Sequence, residues 1–217
     1  MKILSYIKYF VLCIVFFCFI VSCKKTDQNG FEISTIKIGD QTWMSNNLNV
    51  DKFNNGDIIE EVKNKDDWEK AIINKKPAWC YYDNDIENGK KYGKIYNWYA
   101  ISDPRGLAPD GWCIPNNEDW LKLVNFLGGI EFAGTKMKSM SGWKNQGNGS
   151  NESEFNGLPG GYRFRNGSFN KLEKYIYWWS STDSSNENYW NIYLRYNSGE
   201  LGMGAFGESG YVRCVKN

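Results

Sequence analysis

The 217-residue sequence predicts an α+β fold. The stretch Tyr175–Val215 alternates apolar and aromatic runs with clusters of Ser, Asn, Asp and Gly. This rhythm is typical of short antiparallel strands joined by tight turns. A hairpin pattern lies near the N-terminus, and a segment after Pro115 keeps helical spacing. The length is sufficient for one sizeable core and does not require a second domain.

The amino-acid composition excludes several classes of function. The formal charge of +1 gives no basic excess that would indicate nucleic-acid binding. The absence of His excludes His-based triads and zinc sites with His ligands. Aromatic residues make up 17% of the chain and include ten Trp, which indicates a sheet-rich core or a stacking surface. From the sequence we expect no cofactor, no metal site and no catalytic residue.

The N-terminus is similar to a bacterial lipoprotein signal. Lys2 and Lys8 flank the start of an apolar run, Tyr9–Val21, which is short for a membrane span and suits a signal peptide. A small residue precedes Cys23, as in the lipoprotein box. The resemblance implies a signal peptide over residues 1–22, cleavage before Cys23 and acylation of that residue. An ordinary signal or an anchor helix with an incidental Cys is the alternative.

The expected product is anchored to the membrane through lipid on Cys23, since several acyl chains give stable attachment. Residues 23–30 are polar and are predicted to be a tether before a domain over residues 31–217. The expected location is the outer membrane, facing the periplasm or the cell surface. Loss of Lys2 and Lys8 would change the formal charge from +1 to -1. Three thiols then remain, and either two form one bridge or all are buried as small apolar groups: Cys80, Cys113 and Cys214.

The first half of the domain predicts a hairpin and two helices. Ile33–Met44 is apolar on both sides of a Gly39-Asp40 turn signal. Asp66–Lys75 is predicted to be a short helix with Trp68 inward. Asp83–Gly89 is similar to the opening of a calcium loop, but its Gly is one position late, and a surface turn is predicted instead. Tyr92–Ile101 keeps one helical face and is predicted to be a helix.

The second half contains the strongest helix pattern. Gly111–Pro115 is predicted to be a short strand, and Asn116 is expected to cap a helix that ends at Gly128-Gly129. Ser141–Gly161 is a long segment rich in Gly, Asn and Ser, and is either a functional loop or a surface excursion. Gly160–Phe169 is predicted to be a strand.

Six short motifs occur in an order that resembles the Fibrobacter succinogenes major paralogous domain, a family of bacterial extracytoplasmic proteins. The motifs are Gly39–Met44, Tyr92–Ala100, Gly111–Pro115 with Trp120, Leu158–Arg163, Trp179–Thr182 and Val212–Val215. The resemblance covers about Ile33 to Asn217. It implies a C-type-lectin-like fold, with two helices packed beside twisted antiparallel sheets and a long loop region. It also implies that the first strands pair with the last, near Val212–Val215.

The resemblance does not extend to known chemistry of the superfamily. Calcium-dependent sugar sites use Glu-Pro-Asn and Trp-Asn-Asp, whereas Trp190-Asn191 is followed here by Ile192. Formylglycine-generating enzymes need a reactive Cys pair that has no counterpart here. Family members commonly carry Cys before the Pro that corresponds to Pro109, and this chain has Ala108 there, which leaves the partner of Cys214 open.

The leading functional hypothesis is a calcium-independent binding or adhesion module for a glycan or a protein. Planar rings at a groove can stack on sugar faces or peptide side chains, and Arg can fix orientation. The region Trp143–Arg195 is expected to face the ligand, and one of the adjacent Trp178 and Trp179 is expected to be core. The candidate contacts are Trp143, Arg163, Trp178, Tyr189, Trp190, Tyr193 and Arg195.

Two other classes compete with this hypothesis. The chain could be a structural subunit of a cell-surface complex, with its rings buried against a partner. It could also hydrolyse glycans with a carboxylate pair, although exposed loop carboxylates are the commoner interpretation. The carboxylates available for that role are Glu152, Glu154, Asp183 and Glu187.

Overall fold

The computed structural model describes residues 25–26, 32–182, 189–205 and 209–216. Within these ranges the chain combines helices with antiparallel sheets, as the α+β prediction requires. The strands are β1 (Lys25–Thr26), β2 (Glu32–Ile33), β3 (Thr35–Ile38), β4 (Gln41–Met44), β5 (Glu60–Glu61), β6 (Ala78–Cys80), β7 (Ile95–Tyr96), β8 (Trp112–Cys113), β9 (Tyr162–Arg163), β10 (Phe169–Asn170), β11 (Tyr175–Trp179), β12 (Trp190–Arg195), β13 (Gly202–Ala205) and β14 (Val215–Lys216).

Five α-helices occur in the described ranges, rather than the two that the expected fold type implies. They are α1 (Lys65–Ile73), α2 (Ile86–Tyr92), α3 (Trp98–Ile101), α4 (Asn117–Phe126) and α5 (Ile130–Met137). Only α1, α4 and α5 have more than two turns, and these three carry most of the helical packing against the core. Lys25–Thr26, predicted to be part of an irregular tether, pairs with Glu32–Ile33.

The predicted pairing of the first and last strands is confirmed. Four strands form a sheet in the order β3-β4-β14-β8, and every pair is antiparallel. Val215 lies opposite Trp43 on one side and opposite Cys113 on the other. The segments that follow β4 and precede β14 are also hydrogen-bonded, since the amide of Leu48 donates to the carbonyl of Val212 at 2.8 Å. The closing strand therefore holds the N-terminal hairpin and the Gly111–Pro115 segment together.

The core has two clusters, and β11 runs between them. Trp178 belongs to the cluster that contains Trp43 and Trp120, whereas Trp179 belongs to the cluster around Tyr96. Both indoles are fully buried, so the expectation that only one of them is core is wrong. The alternation of strand side chains places them on opposite faces, and each face is covered by its own cluster. With a core cluster on each side of β11, the fold buries more Trp residues than one sheet face could cover.

The N-terminal hairpin and two of the predicted helices are confirmed. Ile38 pairs with Gln41 across the Gly39-Asp40 turn. At the start of α4, Asn116 accepts from the amide of Asp119, and the carboxylate of Asp119 accepts from the amide of Asn116. This reciprocal capping box satisfies amides that have no intrahelical partner.

The prediction of one helix over Tyr92–Ile101 is wrong. Gly93 adopts φ 84° and ψ −166°, which ends α2 and starts a new chain direction. β7 and the short α3 follow, with Asn97 capping α3. The left-handed region at Gly93 is unfavourable for residues with a Cβ, so the glycine itself was the signal. The segment predicted to be a surface turn, Asp83–Gly89, instead contains the first four residues of α2, Ile86–Gly89.

Two further elements differ from prediction. The predicted strand over Gly160–Phe169 is a hairpin of β9 and β10, because a turn centred on Arg165-Asn166 joins them, with the amide of Gly167 donating to the carbonyl of Phe164 at 2.9 Å. The helix α5 was not predicted, since it begins directly after the Gly128-Gly129 pair that ends α4.

Candidate binding face on the C-terminal sheet

The three-stranded sheet β11-β12-β13 brings a row of tyrosines to one face. Tyr175, Tyr177 and Tyr193 share that face, because Tyr177 lies opposite Tyr193 and strand side chains alternate. The opposite face carries Ile176 and Trp178, which are fully buried in the core. Tyr162, on the adjacent hairpin, completes a set that we call the tyrosine face: Tyr162, Tyr175, Tyr177 and Tyr193.

The rings of the tyrosine face form a continuous cluster. Tyr177 is its centre, with ring centroids 5.9 Å from Tyr175 and 5.3 Å from Tyr193, and with interplanar angles of 6° and 29°. Tyr162 meets Tyr177 edge to face at 4.9 Å. Tyr177 is 8% exposed, whereas its three neighbours are half-buried. Offset and edge-to-face pairs of this kind are mutually stabilising, so the face is held in one arrangement.

A glycine on β13 determines where Tyr193 lies. Gly202 pairs with Tyr193 across the sheet, and a Cβ added at Gly202 would overlap the Tyr193 ring. The ring therefore lies across β13 in space that a side chain would otherwise fill. This close approach is a recognised reason for glycine inside a strand.

The hydroxyl group of Tyr177, at the centre of the tyrosine face, stays protonated. Burial raises the pKa of Tyr177, and the neighbouring phenols of Tyr162, Tyr175 and Tyr193 raise it further. A neutral phenol both donates and accepts hydrogen bonds. At the end of β12, the guanidinium of Arg195 forms an ion pair with Glu200 at 2.8 Å. Within the described residues, the face thus combines aromatic ring surface with phenolic hydroxyls, and the Arg195–Glu200 ion pair lies at its edge.

The structure brings some of the predicted contact residues together and separates others. Tyr193 and Arg195 belong to the tyrosine face and its edge. Tyr189 stacks on Trp98, with centroids 4.1 Å apart and planes 12° apart, beside Trp179. Trp190 is half-buried at the start of β12.

The other three predicted contacts are structural. Trp143 is 5% exposed, and its Nε1 donates to the carbonyl of Gly157 at 3.1 Å. Trp178 is fully buried and donates to Oδ1 of Asn47 at 2.8 Å. Arg163 is 1% exposed and donates to main-chain carbonyls at the start of α1. A ligand cannot reach these side chains without displacing the surrounding structure.

Sequence reasoning did not select Tyr162, Tyr175 or Tyr177. The signal was present, because Tyr175 and Tyr177 are two positions apart in a strand and therefore share a face. The prediction favoured Trp residues because they have the larger rings. Most of the Trp residues are instead buried in the core.

The long segment Ser141–Gly161 is anchored to the core by Trp143 and Phe155, both buried. Glu152 and Glu154 line a hollow of about 390 Å³ with Lys37 and Lys136. The other two candidate carboxylates, Asp183 and Glu187, lie outside the described residues.

The three thiols of the domain are free. Cys113 lies opposite Val215, so it shares a face with Val215 and not with the adjacent Cys214. Consistent with this, Cys214 packs in one core cluster and Cys113 against the other. A bridge between them would therefore require a local rearrangement of β14.

No helix in the described ranges is both long and apolar enough to cross a membrane. No three side chains of Cys, Asp or Glu converge there in a way that could hold a metal ion.

These features define an α+β domain whose C-terminal sheet carries one aromatic face. The model of the Fibrobacter succinogenes major domain family matches residues 36–216. The chain belongs to this family. No curated protein and no solved structure matches it.

Proposed function

We propose that this protein is a lipid-anchored extracytoplasmic binding module that recognises a glycan through the tyrosine face without calcium. The observation that supports the proposal is the continuous cluster of Tyr162, Tyr175, Tyr177 and Tyr193 on one sheet face. Tyrosine provides rigid, amphipathic contact area at little cost in conformational entropy. A ligand binding to a face that is already ordered loses little further freedom.

A glycan is the first candidate because the face combines apolar ring surface with phenolic hydroxyls. Sugar rings present C–H groups on one side and hydroxyls at their edges, which match these two kinds of contact. The Arg195–Glu200 pair at the edge supplies a donor and an acceptor that could orient the ligand. A protein ligand is the alternative, because tyrosines also dominate protein-binding surfaces.

Glycan and protein arrays probed with the purified chain test the proposal. Tyr193→Ala is expected to reduce binding at least about tenfold, as for a central aromatic contact. Phe126→Ala is the matched control, because this ring is exposed on α4, outside the tyrosine face. Binding to proteins but not to glycans would reject the glycan and favour the protein ligand. Binding to neither array, or equal loss with both variants, would refute a recognition role for this face.

Membrane attachment through Cys23 is a part of the proposal that the sequence supports, since the basic start, the apolar run and the Cys position agree. Metabolic labelling with a palmitate analogue is expected to modify the chain, and Cys23→Ser is expected to abolish labelling. Cys18→Ser is the control within the same segment. Protease treatment of whole cells would then distinguish the periplasmic side from the cell surface.

The fold is proposed to be C-type-lectin-like. The pairing of β14 with the N-terminal hairpin and the position of α1 and α4 against the main core cluster support this assignment. An experimental structure superposed on C-type-lectin-like domains would test it, and a different order of strands in the central sheet would reject it.

A further inference from the structure

A second cleft lies away from the tyrosine face. It has a volume of about 200 Å³ and lies between the segment after β4, the end of α2 and the segment before β14. Its lining contains three cationic side chains and no carboxylate. The lining residues that matter here are Asn46, Asn47, Asn49, Lys90, Lys91 and Arg213.

Arg213 makes the interior of this cleft electropositive. The side chain is 2% exposed, and no carboxylate of the described ranges pairs with it. Its hydrogen bonds go to neutral oxygens, namely Oδ1 of Asn47 and the carbonyls of Met44, Ser45 and Phe155. Burial without a counter-charge lowers the pKa of Arg213 to about 9. A buried cation is usually paired, so this one is open to stabilisation by an anion.

The donors of Arg213 are not fully used. Nε and Nη2 both donate to Oδ1 of Asn47, at 3.0 and 2.8 Å. Nη1 donates to the carbonyls of Ser45 and Phe155, at 2.9 and 2.6 Å. A guanidinium has five N–H groups, so one N–H of Nη2 remains without a short hydrogen bond within the described chain.

The interior wall of the cleft is rigid. Oδ1 of Asn47 also accepts from Nε1 of Trp178 at 2.8 Å, and Nδ2 of Asn47 donates to the carbonyl of Tyr92 at 2.8 Å. Gly93 lies close by, since a Cβ added there would be 3.0 Å from the Cβ of Asn47. The amide and the guanidinium are therefore held in place before any ligand arrives, which lowers the cost of binding.

Two lysines from the last turn of α2 lie at the rim. Lys90 forms an exposed ion pair with Glu87 at 2.6 Å. Lys91 has only the ring of Tyr92 near its ammonium, at 4.9 Å, among the residues that the structure describes. Lys91 is exposed and is the rim cation best placed to meet an entering anion.

Asn49 provides a hydrogen-bond acceptor in the lining of the cleft. Its Oδ1 is buried and has no hydrogen-bond partner within the described ranges. An amide oxygen accepts hydrogen bonds only, so a donor group on a ligand beside Asn49 would satisfy it. A simple carboxylate cannot donate this bond, whereas a molecule with both a carboxylate and a hydroxyl group can. The volume of about 200 Å³ is below that of drug-sized pockets, which limits the ligand to about one sugar ring.

We propose that this cleft binds a small hydroxylated carboxylate of the sugar-acid class, with Arg213 and Lys91 facing the carboxylate and Asn49 accepting from a hydroxyl. The site is separate from the tyrosine face, because it borders Asn47, which Trp178 contacts from the opposite side of β11.

Isothermal titration calorimetry of the purified full-length protein with glucuronate tests the proposal, with glucose and inorganic phosphate as parallel probes. We expect glucuronate to bind and glucose to bind at least about tenfold more weakly, the worth of one charge-assisted hydrogen bond. Lys91→Glu and Asn49→Asp are each expected to weaken glucuronate binding about tenfold or more, because each adds a negative charge to the lining. Lys70→Gln, an exposed lysine on α1, is the control and is expected to leave binding unchanged.

Three results would overturn the proposal. They are the absence of glucuronate binding, equal binding of glucose, and phosphate binding more tightly than glucuronate. Unchanged affinity in both Lys91→Glu and Asn49→Asp would equally reject the cleft as the site. Tyr193→Ala is expected to retain glucuronate binding, which separates failure here from failure of the proposed glycan recognition by the tyrosine face.

Discussion

Arg163 offers the sharpest test of whether a predicted contact residue is structural. Its guanidinium donates to the carbonyls of Val62 at 2.6 Å, Lys63 at 3.0 Å and Asn64 at 3.1 Å. It also donates to Gly167 at 3.0 Å and packs on the ring of Trp68 at 4.6 Å. This one side chain therefore ties the β9–β10 hairpin to the start of α1.

Arg163→Met removes these donors while keeping an apolar side chain against Trp68. Each lost hydrogen bond contributes about 1 kcal/mol net, and the buried carbonyls left without a partner add desolvation cost. With four bonds to carbonyls, we expect a loss of about 4 kcal/mol in the free energy of unfolding. For a domain of this size, that loss corresponds to a fall in Tm of about 8–16 °C.

Urea unfolding followed by Trp fluorescence measures the effect, because the buried indoles report loss of the core. Arg165→Met is the matched control, since Arg165 is exposed on the same hairpin and is expected to change stability by less than about 1 kcal/mol. A loss below about 1 kcal/mol in Arg163→Met, together with loss of ligand binding, would refute the structural role and return Arg163 to recognition.

Three further predictions concern other parts of the fold. Asn116→Ala should cost about 1 kcal/mol in urea unfolding by removing the capping box of α4, whereas Asn116→Ser should be nearly neutral; equal losses would argue against the cap. Gly202→Ala should cost about 1–3 kcal/mol by overpacking against Tyr193, and this cost should disappear in the Tyr193→Ala background of a double-mutant cycle. Burial raises the pKa of Cys80 from 9.0 to about 12, so its contribution to stability is present below pH 9 and is lost as pH rises through 12. Cys80→Ala should therefore flatten the decline of urea midpoints between pH 9 and pH 11, and an unchanged slope would contradict the shift.

Local patterns predicted the elements whose determinants are local. The Gly39-Asp40 turn and the capping pair Asn116 and Asp119 act within a few residues, and both behave as expected. The break at Gly93 was missed because the apolar spacing of Tyr92–Ile101 is compatible with a helix, and backbone conformation overrides it. The helix α5 was missed because a Gly pair that ends one helix can also precede another.

The candidate site was harder to predict, because burial depends on contacts between distant segments. Trp178 and Trp179 are both covered, and only the two clusters on either side of β11 explain why. Arg163 is a residue type that often contacts ligands. Its hydrogen-bond partners here are main-chain carbonyls about 100 positions earlier in the chain. No local pattern contains that information. The strand spacing of Tyr175 and Tyr177 was local, however, and could have located the tyrosine face.

The position of β14 also constrains the order in which the molecule can form. This strand lies in the middle of its sheet, yet it comes from the last residues of the sequence. Arg213, just before it, contacts Met44 across 169 positions. Closing so long a loop is slow, and β3-β4 and β8 have no shared neighbour until it closes. A chain that is still being synthesised therefore cannot complete this sheet until β14 has emerged, so the N-terminal hairpin and β8 are joined only late in folding.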